Sequence, residues 1–237
     1  MRDPYDALAP HYRDYASRKL SYLKAVDAFI VENLPESRSS MLDVGTGDGV
    51  RGMALAREMG AQRVVLADIS SEMVALCRSL GADEVWQCAA QELPDTGNRF
   101  DVILCLWNVL GHLPDHAARI DALKCMRRSL SSAGRLFIDV NNRHNAAAYG
   151  RWRVFGRRVV DAICPDRCRG DTSFDWQIGD RKFPAMGHLF TPAEAHALVA
   201  EAGFRIVRFG VIDYSDGRRS TIPTAGQLVF CLGDIDE

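Results

Sequence analysis

Residues 42–49 read Leu42-Asp43-Val44-Gly45-Thr46-Gly47-Asp48-Gly49, a short apolar run ending in an acid and then three glycines at alternate positions. The run predicts a buried strand. The glycines predict a tight turn that feeds a helix, because glycine is needed where backbone takes positive φ or lies against a ligand. The free N–H groups that open such a helix, together with its dipole, suit a polar or anionic ligand. A nucleotide-like cofactor is the economical reading. A dinucleotide fingerprint would space its glycines G-x-G-x-x-G. Here the third glycine comes one residue early, Val50 takes its place, and Asp43 is foreign to a dinucleotide site.

Working outward, Arg63-Val64-Val65-Leu66-Ala67-Asp68 is a second apolar run ending in an acid, one helix length after the glycines. An acid about 20 residues past such a loop can accept hydrogen bonds from ribose hydroxyls. The competing role for Asp68 is helix N-cap, which Ser70 and Ser71 fill equally well. A third strand pattern, Glu84-Val85-Trp86-Gln87-Cys88, leads into Ala89-Ala90-Gln91. A fourth runs from Phe100 to Leu106 and ends at Trp107-Asn108, and a fifth closes the segment Ser129–Val140.

Taken together, these pieces resemble the class I S-adenosylmethionine (AdoMet) dependent methyltransferases. Asp43-x-Gly45-x-Gly47-x-Gly49 is similar to motif I, and the Phe100–Asn108 segment to motif IV. Ala133-Gly134 stands where Pro-Gly-Gly is commoner. The resemblance covers about residues 38–140. It implies an α/β, doubly wound, Rossmann-like fold in one domain over 1–237. Its seven-stranded, mostly parallel sheet would run in the order 3-2-1-4-5-7-6, with the seventh strand antiparallel. It also implies AdoMet as cofactor, with S-adenosylhomocysteine as product. Cofactor contacts would come from Asp43, Gly45, Thr46 and Gly47 on the loop, and from Asp68 at the ribose. Ile69 would lie against adenine, with Met73 in the following helix. Ala90, Gln91, Leu106 and Trp107 would complete the set. The family often has an acid at the Ala89 position for the adenine amine. Ala89 cannot serve, so Gln91 or the Ala90 backbone would substitute.

Both flanks add expectations. Leu20, Leu23, Val26, Phe29 and Ile30 fall at helical spacing within Ser17–Leu34, and Pro35 favours an end there. Ahead of that helix, Tyr5-Asp6-Ala7-Leu8-Ala9-Pro10-His11-Tyr12 resembles the Tyr-Asp-x-x-Ala-x-x-Tyr opening segment of small-molecule methyltransferases. It makes residues 1–36 an N-terminal helical lid with Tyr12 over the cofactor; the alternative is that Tyr5, Tyr12 and Tyr15 only dock the helix. Residues 141–190 read as an irregular cap inserted after strand 5, rich in arginine and aromatics. Long connections of this kind are usually functional. Arg151, Arg153, Arg157 and Arg158 suit a carboxylate or phosphate, or else form a solvated basic face. Thr191-Pro192-Ala193-Glu194 is a capping-box helix start. Phe204–Tyr214 and Gln227–Leu232 read as the last two strands.

The chemistry follows from the donor that the resemblance implies. A sulfonium methyl is already activated, so in-line displacement by O or N needs alignment, dryness and proton management rather than a metal. An aromatic face near the sulfonium adds cation–π stabilisation, a role open to Tyr12 and Trp107. His112 and His188 are the candidate bases, since neutral imidazole accepts a proton near pH 7.

The 237 residues carry a net charge of −2 and 47% hydrophobic residues. No apolar run reaches membrane-span length, and no charge excess favours nucleic acid. Seven cysteines, an odd count, without a secretory signal point to reduced thiols in the cytoplasm. No metal is expected, because Cys164-x-x-x-Cys168 lacks a second pair nearby. The reading is methyl transfer to a small-molecule acceptor by a cytoplasmic monomer or homodimer. The alternatives are an RNA or protein methyltransferase, or a non-catalytic AdoMet-binding protein.

Overall fold

Strand β1 (Ser40–Val44) alternates its side chains between two apolar layers, and that alternation organises the whole molecule. The computed structural model describes residues 6, 8–178 and 181–235. Met41 faces a layer built with Val26, Ile30, Met53 and Ala56. Leu42 and Val44 face the opposite layer, built with Leu123, Met126, Leu198 and Val199. A sheet covered on both faces needs nearly continuous apolar strands, which is how β1 and its neighbours read.

β1 pairs in parallel with β2 (Arg63–Asp68) and β4 (Phe100–Cys105). β2 pairs with β3 (Glu84–Gln87), and β4 with β5 (Leu130–Val140), again in parallel. β10 (Gln227–Asp234) lies antiparallel between β5 and β8 (Phe204–Ile212). The expected order is therefore observed. One addition extends it: β9 (Arg219–Ser220) forms an eighth, edge strand from the connection between the last two expected strands.

The helices fall into two sets. On one face lie α2 (Leu20–Glu32), α3 (Val50–Met59) and α4 (Ser71–Cys77). On the other lie α6 (His116–Ser129) and α9 (Pro192–Glu201). In α2 the buried stripe is Tyr22, Leu23, Val26, Phe29 and Ile30. Leu20, assigned to that stripe from spacing, is instead exposed; Tyr22 is buried in the stripe and sends its hydroxyl to the Asp139 carboxylate. The Thr191 capping box forms as read: its hydroxyl accepts from Glu194 N–H at 3.1 Å, and the Glu194 carboxylate accepts from Thr191 N–H.

The cap differs from its sequence reading. Residues 141–190 are not irregular. They hold α7 (Ala146–Tyr149), α8 (Arg151–Ile163) and an antiparallel hairpin, β6 (Asp171–Ile178) with β7 (Arg181–His188). Pro184 and Gly187 hid β7, since both weaken a strand reading; a two-stranded ribbon tolerates them because each strand is an edge. Of the opening segment, Tyr5 and Ala7 lie outside the described residues. After Leu8, α1 (Tyr12–Ser17) follows a short 3-10 turn.

Candidate active site

The glycine loop sits at the carboxyl end of β1, where open α/β sheets bind ligands. Gly45, Gly47 and Gly49 have φ of +69°, +62° and +74°. Space as well as conformation demands glycine at the first two. A Cβ on Gly45 would overlap Val109, and one on Gly47 would stand 2.6 Å from the Tyr12 ring. The second acid reaches back to this loop. Asp68 Oδ2 accepts from Gly47 N–H at 2.8 Å, and Oδ1 accepts from Ser70 N–H at 2.9 Å. Ser70, not Asp68, caps α4, accepting from Met73 N–H. A carboxylate offers about four lone-pair sites, the kind of acceptor that ribose hydroxyls use.

Asp43 and Thr46 lie beneath the loop rather than on a cavity wall. The Thr46 hydroxyl donates to Asp43 Oδ2 at 2.6 Å, and both residues are buried. Burial pushes the Asp43 carboxyl up to about 6, against the lowering effects of the Thr46 hydroxyl and the Arg51 charge. Met73 is fully buried at the start of α4, where its N–H donates to the Ser70 hydroxyl. Asp43 and Thr46 therefore shape the loop from behind, and Met73 packs behind α4; none of the three lines the cavity.

The other nine line one cavity of about 490 Å³. Gly45, Gly47, Asp68 and Ile69 form one end, with Ala90 and Gln91 beside them. Ile69 is apolar yet 51% exposed, an apolar surface turned to the cavity. Leu106 and Trp107 continue the wall at the end of β4. Here Trp107 and Asn108 take positive φ, +61° and +64°, the only non-glycine residues to do so among those described. Strain of this kind persists only when its surroundings over-determine it. Asp139 supplies that constraint: its buried carboxylate accepts from Trp107 N–H and from the Tyr22 hydroxyl. Burial raises the Asp139 carboxyl, and Arg51 and these two donors oppose the rise.

An aromatic roof covers the cavity. Tyr15 stacks on Trp107 at 5.4 Å and Tyr12 meets it edge-on at 5.7 Å. The Trp107 indole N–H donates to the Tyr214 hydroxyl at 3.1 Å. Leu8 packs with Ala185, Tyr12, Tyr15 and Phe174, joining the N-terminal segment to the hairpin. Two polar ties hold the segment to the loops: Arg13 to Asp48 at 3.0 Å, and the Ser70 hydroxyl to Asp6 at 2.7 Å. Tyr214, Phe174 and Met186 escaped the sequence reading because each comes from a stretch with no motif of its own, and Tyr15, read only as docking the helix, lines the cavity too.

The two candidate histidines part company. His112 lines the cavity, and its Nδ1 lies 3.1 Å from the Met186 carbonyl oxygen. A carbonyl only accepts, so Nδ1 carries the proton and the ring lone pair is on Nε2. Burial pushes the His112 pKa down, and the carbonyl contact partly offsets this. His188 is fully buried away from the cavity wall. Its Nδ1 meets Asp171 at 2.6 Å and its Nε2 meets Glu194 at 2.8 Å. It fastens the end of β7 to the capping box of α9, so the expectation of an acceptor-facing His188 is corrected. His144 is likewise bound to Asp161, and His116 to Glu201. The seven cysteines are free thiols.

Residues 41–134 match a family model described as a methyltransferase domain. The ubiquinone biosynthesis O-methyltransferase of Xylella fastidiosa (strain 9a5c) is 33% identical over 150 residues, covering 61% of this chain and 53% of the relative. The cypemycin N-terminal methyltransferase of a Streptomyces species is 29% identical over 143 residues, 59% of this chain and 58% of the relative. The chain thus spans about half the length of the curated relatives it matches. Among solved structures, the CcbJ methyltransferase of Streptomyces caelestis superposes with a TM-score of 0.65 at 18% identity, over 89% of this chain and 94% of that one. At that identity the likeness is one of fold.

Proposed function

We propose that this chain, a member of the class I AdoMet-dependent methyltransferase family, transfers a methyl group from AdoMet to an oxygen or nitrogen of a small, largely apolar acceptor. One observation carries the reading. The glycine loop with Asp68 and the His112 imidazole line the same roofed cavity, so a donor site and a proton acceptor share one space.

The residues fit the donor. Asp68 offers acceptor oxygens to ribose hydroxyls, Gly45 and Gly47 leave room for close backbone approach, and Ile69 offers an apolar face for adenine. Gln91 and the Ala90 backbone supply polar atoms beside it. When bound, AdoMet supplies an electrophilic methyl that needs no further activation. The chain's own residues do the rest. Tyr12, Tyr15 and Trp107 present aromatic faces and edges to the cavity, suited to a cation and hostile to water. Trp107, fixed by Asp139 and Tyr214, keeps that wall in one orientation. Leu8, Phe174 and Met186 make the acceptor end apolar. His112, kept neutral at pH 7 by burial, takes the proton of an acceptor hydroxyl on Nε2. An amine that arrives neutral needs no base until after transfer.

Asp43 and Thr46 belong to this reading as supports of the loop, and Met73 as a support of α4 behind Asp68 and Ile69. Residues 1–237 act as one domain, with the N-terminal segment as lid and residues 141–190 as acceptor cap. Reduced thiols favour a cytoplasmic enzyme, a monomer or homodimer that does not depend on nucleic acid. The test is S-adenosylhomocysteine release from AdoMet with a panel of phenols, catechols and primary amines. Turnover with at least one class supports transfer. AdoMet binding with no turnover on any class, nor on RNA or protein extracts, favours a non-catalytic binding protein.

A further inference from the structure

Helix α8 carries an apolar face that points away from the protein. Trp152 is 88% exposed, Ile163 79% and Phe155 62%, with Val159 and Val160 close to half. Residues 152, 155, 159 and 163 are spaced by three and four, so they form one stripe along the helix. The 13-residue helix is about 20 Å long. Only Val154 is buried on it.

The opposite side explains why the stripe faces outward. Asp161 turns inward and accepts from Arg143 and Arg169 at 3.1 Å each, with His144 at 2.9 Å. Arg157 donates to the Arg143 carbonyl at 3.0 Å and lies 4.4 Å over the Tyr149 ring. A polar network therefore anchors the helix, and its apolar side has no share in the core. At the margins of the stripe stand Arg151, Arg153 and Arg158, all exposed. Asp161 is the helix's one acid, and it is held on the inner side.

An apolar stripe with tryptophan, bordered by arginines and free of acids, has the chemistry of a helix that lies in a bilayer interface. The rings and branched chains enter the acyl boundary, and the arginines meet anionic headgroups. A second copy fits less well, because a two-fold contact through this face would set like-charged arginine margins together. A nucleic acid fits less well too, since Val159, Val160 and Ile163 have no partner on a phosphate backbone. We propose that α8 docks this protein peripherally on an anionic phospholipid surface. No described helix is long and apolar enough to span a membrane; an interfacial helix is a different case. The inference stands apart from the methyl-transfer reading.

The test is co-sedimentation of the full chain with vesicles of equal parts phosphatidylglycerol and phosphatidylcholine, against phosphatidylcholine alone. The expected result is binding to the anionic vesicles and little to the neutral ones. Trp152→Glu with Phe155→Glu should lower the anionic partition more than tenfold. Arg151→Gln, Arg153→Gln and Arg158→Gln together should lower it by roughly a hundredfold, at about 1 kcal/mol per basic side chain. Thermal unfolding of both variants should match the parent. The proposal is overturned if the parent ignores anionic vesicles, if both variants bind as well as the parent, or if sedimentation velocity shows a dimer that the Glu pair abolishes.

Discussion

Replacing Asp43 by asparagine should change how stability depends on pH, and the size of the change follows from the geometry beneath the loop. Burial raises the Asp43 carboxyl from 3.8 to about 6. At about 1.36 kcal/mol per pH unit this amounts to about 3 kcal/mol. The sign runs against the usual carboxylate. Between pH 3.8 and 6 the folded protein holds a proton at Asp43 that the unfolded chain has lost. The group's contribution to stability is therefore complete below 3.8 and is lost as pH rises to about 6. Above that the native state carries the full cost of an ionised, buried acid. In Asp43→Asn the new amide has no charge to desolvate, and its carbonyl can still accept from the Thr46 hydroxyl. Urea unfolding of parent and variant from about pH 4 to 7 is the assay. The difference in unfolding free energy, variant minus parent, should climb by about 2.4 kcal/mol across that range, the remainder falling below pH 4, whatever constant offset the packing adds. Parallel curves would refute the reasoning.

The remaining predictions concern the cavity and the cap. Asp68→Asn removes one of two acceptor oxygens that now face Gly47 and Ser70 N–H groups. Losing one charge-assisted hydrogen bond costs about 1.5–3 kcal/mol, so calorimetry should show AdoMet affinity down about 10- to 100-fold. His112→Ala should lower turnover on a hydroxyl acceptor by about 10²–10⁴ with AdoMet affinity kept; because burial lowers the imidazole pKa, the parent's rate should hold into mildly acidic pH. His188→Ala should destabilise the fold by about 1–3 kcal/mol in denaturant unfolding, as it removes the buried imidazole that ties Asp171 to Glu194, while AdoMet affinity stays within a few-fold of the parent.

Much of this was legible in the sequence, and the rest was hidden for identifiable reasons. Strands β1, β2 and β4 announce themselves because a sheet buried on both faces must be nearly apolar throughout. The loop glycines are legible because positive φ at Gly45 and Gly47 leaves little choice of residue. The Thr191 capping box is a purely local device and was read directly. The cap was not legible: β7 carries Pro184 and Gly187, and α8 turns its apolar stripe outward, so neither shows the usual pattern of a buried element. The histidines could not be sorted from sequence either. The partners that immobilise His188 are Asp171 and Glu194, brought together by the hairpin and by α9. Met186, which fixes the His112 tautomer, lies 74 residues away along the chain. Asp139 escaped notice because it sits inside an apolar strand, where its use is to hold Trp107.

Isothermal titration of the purified chain with AdoMet, S-adenosylhomocysteine and NAD, repeated with Asp68→Ala, bears most directly on the loop and its acid as a clasp for adenosyl donors. Saturable heat with the first two, none with NAD, and collapse of the signal in the variant are the expected results. A flat trace for both adenosyl compounds, or an undiminished one in the variant, would contradict it.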